Sequence, residues 1–155
     1  MRIAVFSDSH GDVSPMESVL SGGGFDLVIH LGDYVRDAAS LQKKFPRIPF
    51  RVVRGNGDMG AVMTPLKDVF MLEGVRVYMT HGHELAVKQG LEPLIFRAKT
   101  ANARLVLFGH THRALLQENE TLTILNPGPV CNRGVPGWAE LTVSGSEFTC
   151  ELRYF

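Results

Sequence analysis

Five short apolar runs mark the chain, and each of them ends directly in a cluster of polar residues and glycines. In order, the runs and their trailing clusters read IAVF with SDSHGD, LVI with HLGD, FRVV with RGNGD, VRVYM with THGH, and LVLF with GHTH. Runs of this length, rich in β-branched and aromatic residues and bounded by glycine, asparagine or aspartate, predict strands that are buried on both faces. Polar side chains are therefore expected at the ends of five strands.

Helix-like segments separate several of these strands. The first is predicted to have Ser14 as its N-cap and Pro15 in its first turn, and to end at residues 22–24. A second is predicted from about residue 36 to residue 44, and a third over roughly residues 91–103. Alternation of strands and helices favours a sheet with helices packed on its faces.

The last third of the chain has a different pattern. Residues 114–125 predict one antiparallel hairpin and residues 138–155 a second, in which Phe148, Cys150, Leu152 and Tyr154 form a buried face. The front of the chain is thus predicted to be α/β and the back antiparallel. We expect an α/β fold of two packed mixed β-sheets flanked by helices, an αββα sandwich, in a single domain spanning residues 1–155.

Composition narrows the possible functions. The chain has 155 residues, of which 45% are hydrophobic and 21% charged, and its formal net charge is zero. These proportions are ordinary for a globular protein, and without a tract of lysines or arginines no polymeric nucleic acid is indicated as a partner. No run approaches the roughly 18–20 apolar residues of a membrane span, so no membrane is expected as a partner. With no export signal, Cys131 and Cys150 are expected to be reduced thiols in a cytoplasmic protein.

The polar clusters contain a set of side chains that can bind metal ions. If the five runs are strands of an α/β sheet, their trailing clusters converge in one crevice beyond the strand ends. Carboxylates, imidazoles and an amide without any thiolate suit divalent metals such as Mn, Fe, Zn or Ni. The set comprises Asp8, His10, Asp33, Asn56, Asp58, His81, His83, His110 and His112.

The motifs DxH, GD, GN, HG and GHTH, in this order, resemble those of the calcineurin-like metallophosphoesterases. Within that family the chain resembles the small bacterial and archaeal phosphodiesterases of the YfcE type. The motifs reach from Asp8 to His112, and the following NPGPVCNR resembles a loop of that subgroup. The resemblance implies a metallophosphoesterase-like fold and a metal-dependent phosphodiesterase that acts on a small phosphate ester.

Carried over position by position, the resemblance implies two divalent metal ions per chain, with manganese expected in vitro and Fe, Ni or Zn as alternatives. It implies a metal-bridging hydroxide as the nucleophile, and it assigns catalytic roles to Asn56, His81 and His110, with His83 as a further candidate. The first ion would be held by Asp8, His10 and His112, the second by Asn56, His81 and His110, and Asp33 would bridge both.

One position departs from the family pattern. Larger members have a histidine after the GN motif, which is thought to help protonate the leaving group, whereas this chain has Gly57. No side chain at position 57 can donate a proton, and His83 and Asp58 are the candidate substitutes.

Several alternatives stay open. His30 is interpreted as a hydrogen-bonded core or supporting histidine, and Asp58 as a partner that orients a ligand imidazole. Arg133 is expected to form an ordinary loop salt bridge, with a phosphate contact as the alternative. A phosphomonoesterase or nucleotidase is the rival enzyme. A protein-binding scaffold, like the retromer subunit of this fold, is the rival from another class.

The presence of all seven ligands favours an enzyme over the scaffold. Exposed strand edges would permit a homo-oligomer.

Overall fold

The computed structural model describes all 155 residues, which form ten strands, three α-helices and one 3₁₀ turn. Tertiary packing rather than local propensity sets their limits. In chain order the elements are β1 (Arg2–Phe6), α1 (Ser14–Ser21), β2 (Leu27–His30), α2 (Val35–Lys44), β3 (Phe50–Val52), β4 (Lys67–Leu72), β5 (Val75–Thr80), the 3₁₀ turn (His83–Leu85), α3 (Glu92–Thr100), β6 (Leu105–Leu107), β7 (Leu115–Glu118), β8 (Thr123–Asn126), β9 (Gly137–Ser144) and β10 (Glu147–Tyr154).

The strands form two five-stranded mixed sheets. The first has the order β10-β9-β1-β2-β3, with β1, β2 and β3 parallel and β9 and β10 antiparallel to their neighbours. The second has the order β4-β5-β6-β8-β7, with β5, β6 and β8 parallel and the two edge strands antiparallel. Two mixed sheets flanked by helices confirm the predicted fold class.

Apolar side chains fill three layers. The central layer lies between the sheets, where Val5 and Ile29 of the first sheet belong to the same cluster as Val77 and Leu107 of the second. The other two layers cover the outer faces. Helices α1 and α2 pack Met16 and Leu41 on the first sheet, and α3 packs Leu94 and Ala98 on the second. Helix, sheet, sheet and helix therefore stack in the expected order.

Both predicted hairpins are present, but they do not form a separate antiparallel sheet. The β7–β8 hairpin adds to the second sheet, and the β9–β10 hairpin adds to the first. Both hairpins are antiparallel as predicted, and the one parallel pairing that they make with the rest of the chain is that of β8 with β6. Pairing of β8 with β6 and of β9 with β1 lets each hairpin extend an existing core face and bury its apolar side chains there.

Three local predictions also need correction. Ser14 is the first residue of α1 rather than its cap, since Val13 occupies the N-cap position without a side-chain hydrogen bond. Strand β3, which was predicted to be buried on both faces, is only partly buried because it lies at a sheet edge. Strand β4, at an edge of the second sheet, was not predicted. Its first half, KDV, carries two charged residues and gives no clear apolar alternation. Tyr154 is 59% exposed, so the buried face of β10 ends before it.

No helix of the structure is both long and apolar enough to cross a membrane.

Candidate metal centre

The turns after β1, β2 and β6 have unusual backbone geometry. Asp8, His10, Asp33, His110 and His112 all have positive φ, between 47° and 67°. For residues with a Cβ this conformation costs about 1–3 kcal/mol each, and such residues cluster at functional sites. Five of the nine non-glycine residues with positive φ are thus candidate ligands.

Four of the expected ligands form a compact group at one edge of the sandwich. One ligand atom each from Asp8, His10, Asp33 and His112 lies within 4.8 Å of all the others. Asp8 Oδ1 is 3.2 Å from His112 Nε2, and Asp33 Oδ2 is 3.5 Å from His10 Nε2. The two imidazole Nε2 atoms are 3.4 Å apart. Two carboxylates and two imidazoles at these distances can surround a divalent cation.

His81 approaches the same carboxylates from the second sheet. Its Nδ1 lies 2.7 Å from the carbonyl oxygen of Leu31, so Nδ1 carries the proton and the Nε2 lone pair is free. That Nε2 is 3.5 Å from Asp33 Oδ1 and 3.9 Å from Asp8 Oδ1. A carbonyl that fixes the imidazole tautomer in this way is typical of metal-ligating histidines.

The remaining two expected ligands are placed less tightly. The ring centroid of His110 is 5.0 Å from that of His81, and the His110 backbone N–H donates to Asp8 Oδ2 at 3.1 Å. Asn56 is exposed on the neighbouring turn. The backbone N–H of Gly57 on that turn donates to Asp33 Oδ1 at 2.7 Å. The structure therefore gathers six expected ligands and leaves Asn56 on the rim.

The two oxygens of Asp33 face different groups. Oδ2 faces His10 of the compact group, whereas Oδ1 faces His81 and the Gly57 N–H. Asp33 is only 3% exposed, and its carboxyl group lies between the two sets of imidazoles. A carboxylate in this position can give one oxygen to each of two cations.

Unpartnered buried atoms provide the test of whether a cation fits here. Asp8 Oδ1, His81 Nε2 and His83 Nδ1 are buried and have no hydrogen-bond partner. Each such atom costs about 1–3 kcal/mol when it is left unpaired. Oδ1 of Asp8 and Nε2 of His81 are 3.9 Å apart, and both can ligate metal. A bound cation accounts for both unpaired atoms, so the residues present fit a metal centre.

Burial and pairing set the protonation of the centre. Burial lowers the pKa of His10, and it also lowers the pKa of His110 to about 4. The Asp8 carboxylate, whose Oδ1 is 3.2 Å from His112 Nε2, instead raises the pKa of His112. Burial alone would raise the pKa of Asp8, but the contacts of its carboxylate, above all that with the His112 imidazole, outweigh burial and the net shift is downward. His112 is therefore the ligand at which a proton competes with the metal.

Metal affinity is expected to fall as the pH decreases through the raised pKa of His112. Since one proton must then leave for each ion bound, the dissociation constant should rise about tenfold per pH unit. His10 and His110 add little in this range, because their lowered pKa values keep them neutral. Competition with a chromogenic chelator between pH 5.5 and 8, corrected for protonation of the chelator, measures the slope. Tighter binding at pH 5.5 than at pH 8 would contradict the ligand assignment.

A buried network supports the turn that carries Asp8 and His10. Asp37 Oδ2 accepts hydrogen bonds from Ser9 Oγ (2.7 Å) and from the backbone N–H of Gly11 (2.8 Å). His30 Nε2 is 3.1 Å from Ser9 Oγ, and its Nδ1 accepts from the N–H of Gly32. Burial lowers the pKa of His30 to about 4, so this ring is neutral. His30 thus links the turns after β1 and β2. Nothing in the sequence pattern distinguished Asp37, a buried residue of α2.

Asp58 does not orient an imidazole. Its Oδ1 accepts from the backbone N–H groups of Tyr34 (2.8 Å) and Val35 (2.9 Å), and its Oδ2 accepts from that of Gly55 (2.9 Å). The prediction for Asp58 is therefore wrong. The reason is that three backbone N–H groups, at the start of α2 and in the turn after β3, would otherwise lack an acceptor. These groups attract a carboxylate more strongly than a neutral imidazole ring does.

Two further candidates lie beside the ligands. The ring of His83 has its centroid 5.4 Å from His81 and 6.1 Å from His110. Burial lowers the pKa of His83, which keeps it neutral. Arg133 is exposed and forms no ion pair, so the predicted loop salt bridge is absent. Arg133 lines a cleft whose wall also includes His112, which places Arg133 near the ligands.

Comparison with known proteins identifies similar chains. A family model described as the calcineurin-like phosphoesterase superfamily domain matches residues 1–144. A probable metallophosphoesterase of Bacillus subtilis, YsnB, is 30% identical over 135 residues, or 84% of this chain and 75% of that protein. A phosphodiesterase of Methanocaldococcus jannaschii is 23% identical over 173 residues, or 96% of each protein. The solved structure of Vps29 from Chaetomium thermophilum has a TM-score of 0.81 at 22% identity, covering 97% of this chain and 85% of that one. At that identity the last likeness shows a shared fold alone.

Proposed function

Because the chain belongs to the calcineurin-like phosphoesterase superfamily, we propose that it is a phosphodiesterase with a dinuclear metal centre. The observation that carries this proposal is the Asp33 carboxylate, whose two oxygens face two different sets of imidazoles. The archaeal relative named as a phosphodiesterase supports the choice of a diester as substrate. Residues of both sheets contribute ligands, so we also propose that residues 1–155 act as one catalytic domain.

The proposed ligands divide into two sets around Asp33. The first ion would be bound by the compact group, which consists of Asp8, His10, His112 and one oxygen of Asp33. The second ion would be bound by His81, His110 and the other oxygen of Asp33. Asn56, which is exposed at the rim, would complete this set. Manganese is the ion that we expect to support activity in vitro, with Fe, Ni or Zn as alternatives.

When bound, the ions would supply an acidified water and Lewis-acid stabilisation of the negative charge on the phosphoryl oxygens. The chain itself fixes the positions of two of the proposed ligands. His81 is held by the Leu31 carbonyl, and the backbone N–H of Gly57 holds Asp33, so neither ligand must reorganise during the reaction. His83, a partly exposed neutral ring whose buried Nδ1 is unpartnered, is available to contact a phosphate oxygen.

Position 57 lies directly against the proposed bridging ligand. A Cβ added to Gly57 would be 3.1 Å from Asp33 Oδ1 and 3.3 Å from its Cγ, so a side chain there would project over the centre. Glycine leaves this place without a proton donor. The leaving oxygen therefore departs without assistance from position 57.

Hydrolysis is expected to depend steeply on the pKa of the leaving group. General acid assistance is typically worth about 10²–10⁴-fold, and esters of ordinary alcohols should lose that factor whereas nitrophenyl esters should not. A series of aryl and alkyl phosphodiesters, compared by kcat/KM under saturating Mn²⁺, measures the dependence. A flat series would show that another residue, such as His83, donates the proton.

A metal-by-substrate screen tests the proposed function directly. Protein stripped with a chelator and reloaded with Mn²⁺, Fe²⁺, Ni²⁺ or Zn²⁺ is expected to hydrolyse bis(p-nitrophenyl) phosphate, and chelator without added metal should abolish the activity. At equal metal, the diester should be cleaved faster than p-nitrophenyl phosphate. Faster cleavage of the monoester would instead identify a phosphomonoesterase or nucleotidase.

A protein-binding scaffold is the alternative from a different class, and the metal content separates it from the enzyme. The shared fold of Vps29 allows a non-catalytic role, whereas the unpaired atoms of Asp8 and His81 favour a bound ion. After Mn²⁺ loading and removal of free metal, elemental analysis should find two equivalents per chain. Fewer than one equivalent, together with no hydrolysis of any ester, would support the scaffold.

A further inference from the structure

An open cleft of about 710 Å³ adjoins the metal centre on the side of His112. Its lining includes Lys88, Thr111, Arg113, Arg133 and the exposed ring of Tyr154, together with His112 itself. The Nε2 atom of His112 is 3.2 Å from Asp8 Oδ1. One residue thus belongs both to the cleft wall and to the compact ligand group, so a molecule bound at the centre can extend into the cleft.

The cleft is cationic although the whole chain has zero net charge. Lys88, Arg113 and Arg133 line it, no carboxylate does, and none of the three cations forms an ion pair. All three are exposed and come from different segments: the loop before α3, the turn after β6 and the loop before β9. Three like charges around one concavity raise the local concentration of anions.

The three cations lie beside the ligands. Arg113 directly follows the ligand His112 along the chain, and Lys88 and Arg133 line the same cleft wall as His112. The scissile diester carries only one negative charge, which the metal ions already oppose. Three further cations beside the centre therefore exceed what that single charge requires.

A second concavity of about 580 Å³ continues from the first and shares Lys88, Thr111, Arg113 and Ala114 with it. Its remaining walls are apolar and comprise Val87, Leu91, Phe108 and Leu115. Cationic and apolar surfaces side by side fit a ligand that joins a phosphate to a flat apolar group. Cavities of this size hold molecules of about the size of a nucleotide.

We propose that this cationic cleft binds a terminal phosphate of the substrate, so that the preferred substrates are short nucleotide diesters that carry a phosphomonoester. The inference rests on the proposed phosphodiesterase function and adds the substrate class. Arg113 and Arg133 supply guanidinium groups, which match the geometry of phosphate oxygens in pairs, and Lys88 supplies a point charge. These three side chains select the substrate and take no part in bond cleavage.

The test compares two dinucleotides that differ only in the terminal group, ApA and pApA. With the Mn²⁺-loaded full chain, kcat/KM is expected to be at least about tenfold higher for pApA, which corresponds to about 1.4 kcal/mol, with most of the difference in KM. Chromatographic separation of the products distinguishes cleavage of the internal diester from loss of the terminal phosphate. The ratio of kcat/KM for pApA to that for ApA is the measured quantity.

Removal of the cations should abolish this ratio. Arg113→Gln and Lys88→Gln, singly and together, are expected to bring the ratio towards one, mainly by raising KM for pApA. Lys43→Gln on α2 changes the net charge equally and lies outside the cleft, so both rates should keep their wild-type values. Metal content and the melting temperature establish that each variant is folded.

Each outcome decides the inference. Equal kcat/KM for ApA and pApA in the wild type, or a ratio that persists in the double variant, would overturn it while leaving the phosphodiesterase function intact. No hydrolysis of either dinucleotide or of bis(p-nitrophenyl) phosphate would overturn the proposed function, and the inference with it.

Discussion

Replacing Asp33 with asparagine is expected to lower phosphodiester hydrolysis by about 10³-fold or more and to weaken metal binding at both sites. Metal ions stabilise transition-state charge by several kcal/mol, and a loss of about 4 kcal/mol corresponds to nearly 10³ in rate. Asparagine keeps an oxygen that can accept the Gly57 N–H, so the turn after β3 retains its hydrogen bond. What it removes is the negative charge and the second oxygen, the two properties that a bridging ligand needs.

The matched control for this variant is Asp12→Asn. Asp12 lies on the turn after β1 and is exposed, so its replacement changes the charge near the site by the same amount without touching a candidate ligand. Elemental analysis of both variants, alongside kcat/KM for bis(p-nitrophenyl) phosphate, measures the effect. If Asp33→Asn retained two equivalents of metal with unchanged affinity, the bridge would be refuted.

The second large effect is expected from Gly55→Ala. A Cβ at this position would lie within 2.6 Å of the Asp33 backbone nitrogen and 2.9 Å of its Cγ, and would collide with Oδ1. The backbone atom cannot move aside as a flexible side-chain end could. Overpacking of this kind costs about 1–3 kcal/mol and occasionally more. We expect about 3 kcal/mol here, because the turn is also bound by Asp58, and loss of metal binding as Asp33 is displaced.

Gly60→Ala provides the comparison within the same loop. An added Cβ at Gly60 has no heavy atom within 4 Å, and its φ lies outside the left-handed region. For a chain of this size, 1 kcal/mol corresponds to roughly 2–4 °C in melting temperature, so Gly55→Ala should melt about 6–12 °C lower than the wild type and Gly60→Ala within a degree or two. Equal melting temperatures and equal metal content of the two variants would show that the turn can accommodate a side chain at position 55 without displacing Asp33.

Much of the fold and the arrangement of the ligands could be predicted from the sequence because both follow from order along the chain. Apolar runs that end in Asp, His and Gly identify strands whose carboxyl ends share one edge, and the structure brings Asp8, Asp33 and His81 to that edge. The identity of the family likewise follows from ordered motifs and is confirmed. Each apolar run and each motif is a short continuous segment, so it can be recognised even though the segments that it meets in the fold lie far away along the chain.

Other features could not be predicted because they depend on which backbone groups remain unpaired after folding. The carboxylate of Asp58 binds three backbone N–H groups, a competition that no residue pattern records. Strand β4 exists because β5 offers it an edge, although its own sequence alternates weakly. The cationic cleft combines Lys88, Arg113 and Arg133, which lie on three separate loops and show no clustering along the chain.

The positive φ angles of the ligands have a consequence for how this protein can evolve. Five residues held in a conformation that costs about 1–3 kcal/mol each together store a free energy comparable to the entire stability of a typical domain, about 5–15 kcal/mol. Glycine at any of these positions would relieve that strain, and it would also delete a candidate ligand. Selection for stability alone would therefore favour glycine at these positions and remove the candidate ligands.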